Sequence, residues 1–118
     1  GLENIAKHHA NVTLLLGLRP PENWVASVRK HGSGRLLRQW RQCPGFPHQL
    51  SSDEELIEFY NNYTQGIRSF VKQNPSLTYI EFELESADAG SFLERETGLS
   101  AACFKHCRPE KRKCAERA

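Results

Sequence analysis

The sequence contains no methionine, and only four of its 118 residues are cysteine. Long apolar runs are also missing. The longest, Val12 to Leu18, is strand-sized and far below the ~18 residues of a membrane span. The start, Gly1-Leu2-Glu3-Asn4, has the build of neither a signal peptide nor a transit peptide. With no initiator Met, the numbering is expected to begin inside a longer or processed protein. Golgi lumen, another organelle and cytoplasm all stay open, because four cysteines suit either redox state. Apolar content of 38% and a mean hydropathy of −0.62 indicate a polar globular piece, and its length allows one domain at most. The whole chain, 1–118, is therefore read as a single partial domain ending in a basic, Cys-rich tail over 103–118.

Acid is absent between Glu22 and Asp53, where Arg29, Lys30, Arg35, Arg38 and Arg41 stand. From Asp53 to Glu96 acids dominate, and the tail turns basic again with Lys105, Arg108, Lys111, Arg112, Lys113 and Arg117. Net charge is only +2, so the sign is segregated rather than strong. If the two basic segments converge they form an anion site; if not, they are solvated strips. The acidic middle argues against a nucleic-acid partner.

Residues 1–10 are polar and read as loop or helix end. Val12 to Leu18 reads as a strand buried on both faces, as in a parallel sheet. Arg19-Pro20-Pro21 stops it, and Pro21 suits the first turn of a helix that carries Trp24, Val25 and Val28. Gly32-Ser33-Gly34 breaks that helix, Leu36, Leu37 and Trp40 suggest a short amphipathic turn, and Cys43 to Pro47 is a loop. Ser52-Asp53-Glu54-Glu55 is a capping-box pattern. Leu56, Phe59, Tyr60, Tyr63, Ile67, Phe70 and Val71 then mark one stripe of a long helix to about Gln73. In the strand Leu77 to Glu85, Ile80, Phe82 and Leu84 point one way, and Glu81, Glu83 and Glu85 form a wet face. Ser86 or Asp88 caps a helix with Phe92 and Leu93, which Gly98 closes, with Leu99 making the apolar contact beyond it. Strands alternating with helices predict an α/β class with a parallel sheet. Two strands do not make a stable open sheet, so further strands are expected from upstream sequence or from protein partners.

The chemistry is concentrated at Leu14-Leu15-Leu16-Gly17-Leu18-Arg19-Pro20-Pro21-Glu22-Asn23-Trp24-Val25-Ala26-Ser27. An apolar strand ends in an Arg, a helix begins, and a Ser follows eight residues after the Arg. Ligands of open α/β sheets bind beyond the carboxyl ends of the strands. A guanidinium there grips phosphate bidentately, and helical N–H groups and a hydroxyl add donors. An Arg that merely caps the sheet, with a surface Ser, is the alternative.

This stretch resembles the sulfotransferase motif that binds the 3′-phosphate of 3′-phosphoadenosine 5′-phosphosulfate (PAPS). Arg19 and Ser27 match its strand-end Arg and its Ser. Phe92-Leu93 through Gly98-Leu99 is similar to a region near that family's C-terminus. Cys103-Phe104-Lys105-His106 and the basic run after it resemble the loop that closes on the nucleotide. The similarity covers roughly residues 12–108. It implies a partial P-loop-like parallel sheet with flanking helices, the C-terminal half of a sulfotransferase-like domain. PAPS is the implied cofactor, with no metal. Arg19, Ser27, Arg108 and Lys111 are the implied cofactor-binding residues, and sulfate would pass to a hydroxyl or amine of an anionic or carbohydrate acceptor. The family's Gly-rich phosphosulfate loop does not occur here, since nothing reads as G-x-x-x-x-G-K-S/T. The usual catalytic His or Glu would lie upstream, and Arg108, Lys111, Arg112 and Lys113 only loosely replace an Arg-Lys-Gly triplet. This chain alone is expected to be inactive. The alternative is a sulfotransferase-derived accessory subunit docked in a larger assembly.

Other signals are weaker. Cys103, His106, Cys107 and Cys114 do not have the spacing of a standard zinc finger; disulfides and free thiols both stay open. Asn11-Val12-Thr13 and Asn62-Tyr63-Thr64 match glycosylation sequons by chance, and His8-His9 reads as exposed polar surface.

Overall fold

Ser52 and Glu55 start the longest element by satisfying each other's backbone. The Glu55 N–H donates to Ser52 Oγ at 3.1 Å, and the Ser52 N–H donates to Glu55 Oε2 at 2.7 Å. In the computed structural model, which describes residues 1–9 and 11–104, this capping box opens a 21-residue helix over Asp53–Gln73. The bounds match those expected from sequence. Ser52→Ala is expected to cost about 1 kcal/mol, because a helix-end donor loses its partner. Urea unfolding monitored by far-UV circular dichroism measures it.

The element order is α1 (Leu2–His8), β1 (Thr13–Leu18), α2 (Pro21–Lys30), a left-handed turn His31–Gly34, α3 (Arg35–Trp40), α4 (Asp53–Gln73), β2 (Thr78–Glu83) and α5 (Ala89–Thr97). Residues 2–8 are thus helical, where the sequence suggests loop or helix end; Leu2, Ile5 and Ala6 do stand at helical spacing, but the segment is short and has no buried residue. β1 and β2 pair in a two-stranded sheet. The Thr78 N–H donates to Val12 O and the Leu84 N–H to Leu18 O. Both bonds span the same distance along the chain in the same sense, so the strands run parallel. Mixed α/β architecture with a parallel strand pair therefore holds.

Contacts divide the described residues into two compact units: Gly1–Leu14 with Arg19–Tyr79, and Leu15–Leu18 with the described residues from Ile80. The first unit holds a core of Val25, Val28, Leu37 and Leu56, with Trp24, Leu36, Trp40 and Ile57 packed against it. Leu56 is completely buried and Leu37 nearly so. Around this core the rings of Trp24, Trp40, Phe46, Phe59, Tyr60 and Tyr63 form a continuous cluster, with neighbouring centroids 5.1 to 6.5 Å apart. Arg29 of α2 donates to Asp53 Oδ1 and to Ser51 O, which ties α2 to the start of α4. The α4 stripe is only partly covered. Tyr63 is 61% exposed, while Thr64 beside it is buried. Tyr63 is left lining an open groove of about 540 Å³ with Leu2, Ile67 and Phe70.

In the second unit Phe82 lies over β1. A Cβ built on Gly17 would stand 3.0 Å from Phe82 Cζ, so any side chain here requires the ring to give way by a few tenths of an ångström. The Phe104 ring meets Phe82 edge-on at 5.8 Å. Ile80, Ala89 and Leu93 are buried. Gly98 ends α5 in the left-handed region, at φ 74°. Leu99, expected to make the apolar contact that follows such a glycine, is instead 62% exposed. Glu83 and Glu85 are exposed as the alternation predicts, but Glu81 is half-buried.

β1 departs from its expected burial. Its residues alternate between exposed and half-buried, none is buried, and Leu15 is 47% exposed. A parallel strand is covered on both faces only where neighbouring strands and helices supply the layers. Here the sheet has two strands among the described residues.

Candidate phosphate site at the end of the first strand

Arg19 leaves β1 at its carboxyl end, where the chain turns into α2. The Arg19 N–H donates to Tyr60 Oη at 3.1 Å, and the Tyr60 hydroxyl donates to Arg19 O at 3.0 Å. One phenol thus satisfies both backbone groups of the residue between strand and helix. Tyr60 is itself held by Trp24, whose ring lies 5.1 Å from it. The Arg19 side chain is half-buried, with Nε shielded from solvent. A guanidinium whose stem is fixed loses less freedom on gripping an oxyanion than one on a mobile loop.

α2 begins as the sequence predicts. Pro20 is its N-cap and Pro21 occupies the first turn, where a missing N–H costs nothing. The Asn23 and Trp24 N–H groups both donate to Pro20 O. Glu22 in the same turn is exposed and favours the helix dipole, but it opposes an anion placed there. Val25 and Val28 face the core, and Ser27 lies on the exposed flank. Ser27 follows Pro21 by six positions, about 9 Å along the helix axis. The long Arg19 side chain and Ser27 therefore meet one ligand only if it sits over the flank of α2.

Arg108 and Lys111 lie outside the described residues, as do His106, Cys107 and Cys114. Among the described residues no group of three metal-binding side chains occurs, Cys43 is a free, exposed thiol, and His8 and His9 are exposed. No helix among them is long and apolar enough to cross a membrane.

Sequence reasoning misses Tyr60, which reads as one more ring of the apolar stripe. The available signal is its hydroxyl: a Tyr rather than a Phe on a core-facing stripe needs a hydrogen-bond partner. The second unit also has an open pocket of about 350 Å³ beside β2, lined by Leu18, Glu83, Asp88, Phe92 and Arg95. The Arg95 guanidinium lies over the Phe92 ring at 5.9 Å. Carboxylates on its wall make it a poor place for phosphate.

No family model, no curated protein and no solved structure matches this chain.

Proposed function

We propose that this chain is the nucleotide-holding part of a sulfotransferase-like domain, with Arg19 and Ser27 taking the 3′-phosphate of PAPS. The observation that supports this most is the build of the strand end: a parallel strand delivers Arg19 directly into a helix, and Tyr60 fixes its backbone from both sides. The residues fit one part of the cofactor. A half-buried guanidinium at the strand end suits a phosphomonoester, and the exposed Ser27 hydroxyl would reach the same group only over the flank of α2. Nothing in the sequence supplies the Gly-rich loop that would cradle the phosphosulfate. When bound in a complete domain, PAPS supplies an activated sulfuryl group for transfer to a hydroxyl or amine. The role of this chain is to bind and orient the adenosine end. Arg108 and Lys111, outside the described residues, are assigned to the cofactor by the resemblance alone.

Calorimetric titration with adenosine 3′,5′-bisphosphate tests the proposal. Arg19→Ala is expected to weaken binding at least ~10-fold, because a bond to a charged group is worth about 1.5–3 kcal/mol. Ser27→Ala should weaken it less, since a neutral hydroxyl bond is worth about 1 kcal/mol. Equal affinity of wild type and Arg19→Ala would remove the assignment.

A second reading is favoured by the exposure of Leu15 in a strand with no buried residue. In that reading the chain is an accessory subunit whose sheet is completed by protein partners, and catalysis is lost.

A further inference from the structure

We infer that Asn11 is an acceptor for an N-linked glycan, and that the chain passes through the lumen where such glycans are attached. This inference is independent of the nucleotide reading.

Three triplets place an asparagine two residues before a hydroxyl: Asn11-Val12-Thr13, Asn62-Tyr63-Thr64 and Asn74-Pro75-Ser76. Proline in the middle position bars the third. Asn74 is besides engaged at the end of α4, where its Nδ2 donates to Phe70 O at 2.8 Å. The first two are equivalent as strings, and both read as chance matches in the sequence. The structure separates them.

Asn62 lies inside α4. Residues two apart in a helix stand about 200° from each other round the axis and do not share a face. Asn62 is accordingly exposed, whereas Thr64 is 7% exposed. In the fold, no enzyme reaches that amide and that hydroxyl together.

Asn11 lies in the turn that leads into β1. A strand buried on both faces would have closed this triplet. Instead, the alternation of burial along β1 runs back through Val12 to Asn11, so that Asn11 and Thr13 are exposed and Val12 between them is half-buried. Val12 O accepts from the Thr78 N–H at 3.4 Å, which ties the middle residue to β2 and leaves the side chains on either side of it open. The backbone of Asn11 is left-handed, at φ 61°, a turn conformation that asparagine adopts more readily than most other non-glycine residues. A glycan is bulky and hydrophilic, and an exposed turn gives it room. Arg19 stands at the opposite end of β1, about 20 Å away along the strand, so the glycan does not cover the strand end where Arg19 lies.

The reaction is transfer of an oligosaccharide from a lipid-linked diphosphate donor. A bond forms between Asn11 Nδ2 and the anomeric carbon of the first sugar, and the bond from that carbon to the diphosphate oxygen breaks. The lipid diphosphate leaves with the electron pair, and the amide loses one proton to the transferring enzyme. The Thr13 hydroxyl is the second feature that the enzyme reads.

The test is the intact mass of the chain from cells that make it naturally, before and after treatment with a peptide-N-glycosidase. The expected result is a loss of mass equal to one oligosaccharide, with an aspartate left at position 11. The same chain and its variants are then made in a eukaryotic host behind a secretion signal and compared by gel mobility. Asn11→Asp and Thr13→Ala should each abolish the glycosidase-sensitive shift, Thr13→Ser should keep it, and Asn62→Asp should leave it unchanged. Mass and mobility are read on denatured protein, so a variant that folds poorly still gives an answer. A natural chain whose mass the glycosidase does not change overturns the inference. So does a shift that survives Asn11→Asp and disappears with Asn62→Asp.

Discussion

Leu56→Ala is expected to destabilise the chain by about 3 kcal/mol, within the range for emptying a fully buried leucine site. Leu56 is 0% exposed and sits where α4 meets Val25 and Val28 of α2 and Leu37 of α3. Truncation removes the transfer energy of the lost methyl groups and leaves a cavity. The aromatic rings around the core are large and mutually wedged, so they close over it poorly. The core it belongs to has four buried apolar residues, so the loss is a large share of the ~5–15 kcal/mol that domains have. Thermal unfolding should shift down by on the order of 10 °C. Leu50→Ala, at a residue 79% exposed, serves as the control and should stay within about 0.5 kcal/mol of wild type.

Gly17→Leu is the second substitution with a large expected effect, and it acts by the opposite mechanism. Even an alanine at this position would put its Cβ 3.0 Å from Phe82 Cζ and 3.4 Å from Leu84 Cδ1. A leucine must push the Phe82 ring aside, and that ring also packs edge-on against Phe104. Overpacking of this kind costs about 1–3 kcal/mol. The loss should appear in chemical denaturation. Gly17→Leu combined with Phe82→Ala should recover part of it, because the smaller residue makes room. If the single variant is as stable as wild type, Phe82 does not rest on the strand as described.

The elements legible in the sequence are those whose signals are local. The capping box at Ser52 and Glu55, the proline at the start of α2 and the glycine that ends α5 each lie within a few residues of what they determine. What is not legible depends on partners far along the chain. The sequence overstates the burial of β1 because an apolar run reports what a strand can bury, whereas Leu15 is covered only as far as neighbouring layers reach it. Leu99 misleads for a similar reason: a glycine stop makes an apolar contact possible but does not supply the surface to contact. The candidate site is legible in the sequence only as a spacing. Arg19 and Ser27 stand out by their spacing after an apolar run. Tyr60, 41 residues away, becomes visible only through its hydroxyl, which closes on both backbone groups of Arg19.

Discrimination between phosphate positions tests the central claim most directly: affinity for adenosine 3′,5′-bisphosphate set against adenosine 5′-monophosphate on the intact chain. A clamped Arg19 that reads the 3′-phosphate predicts a clear preference for the bisphosphate, and predicts that Arg19→Gln abolishes the preference while the fold persists. Equal affinity for the two nucleotides, or a preference that survives in Arg19→Gln, would contradict it.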